Sequence, residues 1–140
     1  MSLDLYQKDL LRWAATVDHA GRLADADATA TIDNPLCGDR ITVDLKIEND
    51  AIAAMAHECE ACVLCQASAA MLASTAIGRA SRQIAQLRTE VSTMLKQAPD
   101  ADAPDSIGDY RIFSGVRPHT ARHACIDLPF EAVLDALDQA

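Results

Sequence analysis

Three of the five cysteines in this 140-residue chain fall within seven residues: Cys59, Cys62 and Cys65 of the run "HECEACVLCQASAAML" (57–72). The other two, Cys37 and Cys125, stand alone. Thiolates hold soft metal ions, accept sulfur and exchange disulfides. The grouping therefore reads in three ways: a local metal knot, a redox dithiol, or one corner of a site assembled from distant parts of the chain. A ferredoxin-type run requires a fourth cysteine after three further residues, then proline; those positions hold Ala69 and Ala70. A zinc ribbon requires a second C-x2-C pair, which the isolated Cys37 and Cys125 cannot supply. A thioredoxin-like dithiol made of Cys59 and Cys62, opening a helix after a strand, stays open as a redox reading.

The composite reading draws on element ends. Cys37 lies in "NPLCGD", a tight loop flagged by Pro35 and Gly38, with Asp39 two residues on. Cys62 lies where a strand ending near Glu58 gives way to a helix, and Cys125 just before the last helix. Three thiolates and a carboxylate, if they converge, form a four-coordinate site for zinc or iron rather than magnesium or calcium.

The elements that must do this positioning follow from periodicity. "SLDLYQKDLLRWAATVDHAG" spaces Leu3, Tyr6, Leu10 and Trp13 as one helical face, with Gly21 as the stop. "RLADADATATIDNPLCGD" is small, polar and turn-rich. "RITVDLKIEND" alternates Ile41, Val43, Leu45 and Ile47 with Thr42, Asp44, Lys46 and Glu48, predicting a strand with one wet face. Asn49-Asp50 is the expected hairpin turn, and "AIAAMAHE" the returning strand. A helix is expected from Val63 to Arg79. A second, capped by Ser81, carries the stripe Ile84, Leu87, Val91 and Leu95. "IGDYRIFSGVRPHTARH" is mixed, and "DLPFEAVLDALDQA" closes as a helix with Pro129 in its first turn. The order predicts an α+β fold, helices packed on a small antiparallel sheet of about three strands, in one domain spanning 1–140.

Half the residues are hydrophobic, 4% are aromatic, and the net charge is −9. That charge argues against a nucleic-acid partner, which calls for clustered Lys and Arg. No apolar run reaches membrane length, so a cytoplasmic protein that meets no membrane is expected. In a reducing compartment grouped cysteines read as metal-binding or reactive thiols rather than bridges. Gly-rich phosphate loops, nucleophile elbows and His-Glu zinc signatures are all missing, which leaves hydrolases and kinases without support.

Three motifs in order resemble those of NifU-like iron–sulfur cluster assembly proteins. "NPLCGDRITVDLKI" is similar to the family's first cysteine motif, a C-G-D before a strand. "ECEACVLCQASAAML" is similar to its second, E-G-C-x-x-S-x-A-S-A-S, with Cys62 on the family cysteine, Ala61 on its glycine and Cys65 on its serine. "FSGVRPHTARHACIDLPFEAV" resembles the third motif of the SufU-type branch, with Arg122 three residues before Cys125. The 63 positions from Cys62 to Cys125 also fit that branch, which carries an insertion that the IscU-type branch lacks.

The resemblance implies a SufE/NifU-like fold and a site made of Cys37, Asp39, Cys62 and Cys125. It implies sulfane sulfur taken from a cysteine desulfurase, a bound zinc or iron ion, a transient iron–sulfur cluster, and apo iron–sulfur proteins as recipients. Cys62 and Cys125, the latter beside Arg122, are the implied persulfide acceptors, in a scaffold rather than an enzyme. A zinc-dependent sulfurtransferase of SufU type is the alternative. Two departures stand out. Ala124 replaces the histidine that precedes the last cysteine in the IscU-type branch; this favours Asp39 as fourth ligand and leaves His123 as a solvated side chain. Cys59 and Cys65 are additional to the pattern, Cys65 as an inert replacement for serine and Cys59 without an assigned part. Outside the family, the rivals are a structural zinc-binding interaction domain and the Cys59–Cys62 redox dithiol.

Overall fold

The computed structural model describes residues 3–35, 38–98 and 100–140. Three strands form an antiparallel meander: β1 (Ala28–Asn34), β2 (Asp39–Glu48) and β3 (Ala51–Glu60). The β2–β3 turn is Asn49-Asp50, both with positive φ (54° and 63°), the conformation of the tight turns that match strand twist. β2 buries Ile41, Val43 and Leu45 on one face, as its alternation predicts.

Three features of the sheet differ from the sequence reading. β1 replaces the expected turn-rich segment. Its Ala28 and Ala30 are small enough to sit buried, and Thr31 shares a hydrogen bond with Thr42 across the ladder (2.9 Å), so pairing replaces bulk. The strand facing it is not simply wet on its second face, because Asp44 is buried there. Arg22 clamps it with two hydrogen bonds (2.6 and 3.1 Å), while the Thr29 hydroxyl (2.6 Å) and Leu23 N–H (3.0 Å) donate to it as well. The Arg22 hydrogen bond outweighs burial and holds the Asp44 carboxyl at about 2. Lastly, helix α1 (Leu3–Ala14) stops well before Gly21. Beyond it the chain bonds to the free edge of β3, where His57 N–H donates to the His19 carbonyl (2.9 Å) and Gly21 N–H to the His57 carbonyl (2.8 Å). Leu10 and Trp13 pack on the core, while the side chains of Leu3 and Tyr6 lie outside the described residues.

Helix α2 (Val63–Ala76) touches α1, β3 and the last helix and buries ten of its fourteen residues. Its alanines allow that crowding. Helix α3 (Ser81–Leu95) buries Ile84, Leu87, Val91, Met94 and Leu95. Its N-cap is Ala80 rather than Ser81, and Gln83 Oε1 accepts the Ala80 N–H (2.9 Å) in place of a serine cap. Short 3-10 turns over Asp105–Val116, broken at Gly108 (φ 55°, ψ −128°), and over Thr120–Arg122 make up the mixed region. Glycine's freedom is used at that break.

Arg117, 4% exposed, organises this region. Its guanidinium donates to the carbonyls of Met94 (2.9 Å), Ala98 (3.1 Å) and Ala101 (2.6 Å) and to Gln97 Oε1 (3.2 Å), satisfying acceptors at the end of α3.

The last helix, α4, runs His123–Gln139 and lies over β1 and β2. It starts earlier than the sequence suggests, which puts Cys125 inside its first turn and Pro129 in the second. A buried relay ties α4 to α2: Ser68 Oγ donates to the Ile126 carbonyl (2.7 Å), and the Tyr110 hydroxyl donates to the Ser68 carbonyl (2.9 Å). No helix among the described residues is long and apolar enough to cross a membrane.

Candidate metal centre

Asp39 opens β2 on the core-facing set shared by Ile41, Val43 and Leu45, and is 4% exposed. The antiparallel register pairs Arg40 with Glu60, so β3 ends beside Asp39. Two residues later Cys62 caps α2. The aspartate spans this junction: Oδ1 accepts the Cys62 N–H (3.0 Å), and Oδ2 stands 3.5 Å from Cys62 Sγ. From above, α4 brings Cys125, which is buried.

One ligand atom from each of Asp39, Cys62 and Cys125 lies within 4.8 Å of the others. Thiolates of one zinc tetrahedron stand roughly 3.8 Å apart, inside that spread. Burial raises the Cys125 thiol above its ordinary range, and hydrogen bonds with Asp39 and Cys62 act in the same direction. The donors suit Zn²⁺ or Fe²⁺: two soft sulfurs and one oxygen, gathered at the first turns of two helices. Cys37, two residues before Asp39, lies outside the described residues.

A family model described as the NifU-like N terminal domain matches residues 5–126, most of the chain. The chain belongs to that family. This NifU-like chain is 27% identical over 122 residues to the iron–sulfur cluster assembly scaffold protein IscU of Streptococcus pyogenes serotype M1, covering 87% of this chain and 76% of the relative. It is 27% identical over 129 residues to the zinc-dependent sulfurtransferase SufU of Bacillus subtilis, covering 92% and 86%. The crystal structure of a nitrogen-fixing NifU-like protein (N-terminal) from Brucella abortus superposes with a TM-score of 0.86 at 37% identity, over 99% of this chain and 96% of that one.

Two further residues of the NifU-like chain precede Cys125 closely in sequence. Arg122 is exposed, three residues before Cys125. His123 is turned away: its Nε2 is 3.2 Å from the carbonyls of both Val116 and Arg117, so it is held by backbone rather than solvated.

Cys59 and Cys65 flank Cys62 in the chain, Cys59 half-buried and Cys65 fully buried. The sulfur of Cys62 stands on the Asp39 side. The Cys65 hydrogen bond, which exceeds the effect of burial, lowers the Cys59 thiol to about 6, with help from His57. The same hydrogen bond, then burial, pushes Cys65 strongly upward. His57 Nδ1 is 3.8 Å from Cys59 Sγ. The signal for His57 was present in the sequence: positions 57 and 59 are two apart on a strand, hence on one face.

Proposed function

We propose that this chain is an iron–sulfur cluster assembly scaffold that accepts sulfane sulfur and builds a transient cluster at Cys37, Asp39, Cys62 and Cys125. The convergence of Asp39, Cys62 and Cys125 from three elements carries this reading, supported by the scaffold named among the relatives. A cysteine desulfurase is the sulfur donor, and apo iron–sulfur proteins are the recipients.

The residues divide the work by their chemistry. Cys62, half-buried at the N-terminus of α2, is the thiol that attacks the outer sulfur of a donor persulfide. The new bond joins Cys62 Sγ to that sulfur while the donor thiolate departs with the electron pair of the old bond. Cys125 is the second acceptor, with the Arg122 guanidinium nearby in sequence to attract the anionic donor. Asp39 orients Cys62 through the backbone N–H and is the harder, weaker ligand, so it is the corner that lets a finished cluster go. A zinc or iron ion held by these residues supplies positive charge that keeps ligating thiols deprotonated.

A second reading, a zinc-dependent sulfurtransferase, draws on the Bacillus subtilis relative and on the absence of a free histidine donor beside Cys125, since His123 is held by backbone carbonyls. One experiment tests both. The chain is purified without added metal, its zinc and iron are measured, and it is then incubated anaerobically with a cysteine desulfurase, cysteine and ferrous iron. A sulfide-to-iron charge-transfer absorption that transfers to an apo-ferredoxin is the result expected. Tightly held zinc with no cluster, but with sulfur passed on, favours the sulfurtransferase; neither cluster nor sulfur uptake overturns both.

A further inference from the structure

A thiolate that ligates an ion has lent a lone pair to the metal and is a poorer nucleophile than a free one. With zinc or iron held at Asp39, Cys62 and Cys125, both of those sulfurs are engaged, and an incoming sulfur needs another thiol. Cys59 is half-buried near the end of β3, beyond the point where the edge of that strand pairs at His57 with residues 19–21. His57 lies two residues back on the same face, with Nδ1 3.8 Å from Cys59 Sγ. The ring is 6% exposed, and its Nε2 has no hydrogen-bond partner among the described residues. A core histidine kept only for packing is normally partnered at both nitrogens; among the described residues the Cys59 sulfur is the one polar partner this ring has. With the proton on Nδ1 the imidazole donates to a Cys59 thiolate, and Nε2 is a bare lone pair rather than a stranded N–H. The strand register sets this pair beside the metal centre. Cys59 faces Ile41 across the β2–β3 ladder and His57 faces Val43. Asp39 is the next residue along that face, a diagonal neighbour of Cys59 at about 7–8 Å.

We propose that Cys59, oriented by His57, is an additional sulfur acceptor that works while an ion occupies the Asp39–Cys62–Cys125 group. The inference rests on the scaffold reading for the arrival of a donor persulfide. The Cys59 thiolate attacks the outer sulfur of that donor. A bond from Cys59 Sγ to the outer sulfur forms, and the donor leaves as a thiolate with the electron pair of the broken bond. The outer sulfur keeps its proton, so the products are Cys59–S–SH and one donor thiolate, and no oxidant or reductant is consumed. Cys59 is the group that touches the substrate. His57 is a positioning residue, whose Nδ1–H fixes the direction of the thiolate and stabilises its charge. Sulfur is loaded next to the ion without displacing one of its ligands.

The full-length chain, loaded with one equivalent of zinc, is given one equivalent of glutathione persulfide under anaerobic conditions and then blocked with iodoacetamide. Bound zinc and intact mass are measured, and fragmentation of the tryptic peptide 47–79 separates Cys59 from Cys62 and Cys65. The loaded wild-type chain is expected to keep its zinc and gain one sulfur, about 32 mass units, on Cys59. Cys59→Ser, loaded alike, should gain below about a tenth of that sulfur. His57→Ala should slow the uptake about tenfold, and His57→Asn, whose amide N–H stands near the place of Nδ1, should recover most of the rate at an unchanged zinc content. If the His57 variants fail to fold, Cys59→Ser, at a half-buried strand position, decides alone. Sulfur placed on Cys62 or Cys125 with loss of zinc overturns the inference, as does wild-type uptake by Cys59→Ser or a wild-type rate in a folded His57→Ala chain. A loaded chain that takes no sulfur, while the metal-free chain takes it, overturns the inference as well. These outcomes leave the scaffold reading standing. No sulfur on any form of the chain, loaded or metal-free, overturns both.

Discussion

Cys62 and Cys59 are three residues apart in the chain, yet the company each keeps is quite different. Cys62 meets Asp39 from β2 and Cys125 from α4, partners drawn from distant sequence. Cys59 meets His57, two residues back on the same strand, with Nδ1 3.8 Å from its sulfur. The first group mixes thiols with a carboxylate, and the second is a thiol beside an imidazole. Donors of unlike hardness suit holding and releasing an ion, whereas a thiol of lowered proton affinity suits nucleophilic attack.

The largest expected effect separates the groups by metal. Cys62→Ser should weaken zinc binding by at least about 100-fold, while Cys59→Ser should leave it unchanged; metal analysis after competition with a chelator measures both. Equal losses in the two variants would merge the groups into one site. Next comes thiol reactivity. Cys59 at about 6 is chiefly thiolate at neutral pH, so its alkylation should slow about tenfold as pH falls from about 7 to about 5. Cys65 and Cys125, both raised, should stay unreactive in that window, as read by mass spectrometry of the labelled peptides.

Smaller effects sharpen the contrast. Asp39→Ala should lengthen the half-life of a reconstituted cluster severalfold, followed by its visible absorption, without changing Cys59 alkylation. Ser68→Ala removes the hydroxyl that ties α2 to the Ile126 carbonyl and should cost about 1–2 kcal/mol in denaturant unfolding. It should also loosen the metal group, which spans α2 and α4, more than the Cys59–His57 contact, which lies within β3.

The same difference in range governs what could be read from the sequence. The strand over Ile41–Ile47, the Asn49-Asp50 turn and the α3 stripe are local patterns, and each is present as expected. β1 was illegible because its ladder rests on alanines and threonines with no hydrophobic signal, and α1 was overextended because edge pairing at His57 outcompetes helix for residues 15–21. At the site, the gathering of Asp39, Cys62 and Cys125 follows a motif order that the sequence displays. The contact of His57 with Cys59 was not read from the sequence, although two positions apart on a strand share a face.

Arg117 has a practical consequence for anyone hoping to shorten the chain. The stretch 97–112, between α3 and the third motif, resembles an insertion and invites removal. Three main-chain oxygens and one amide converge on that single guanidinium, and it sits only six residues ahead of His123, where α4 begins. Excising the stretch would strand a buried cation at the root of the helix that carries Cys125, so a trimmed variant would have to replace Arg117 with an apolar residue before anything else.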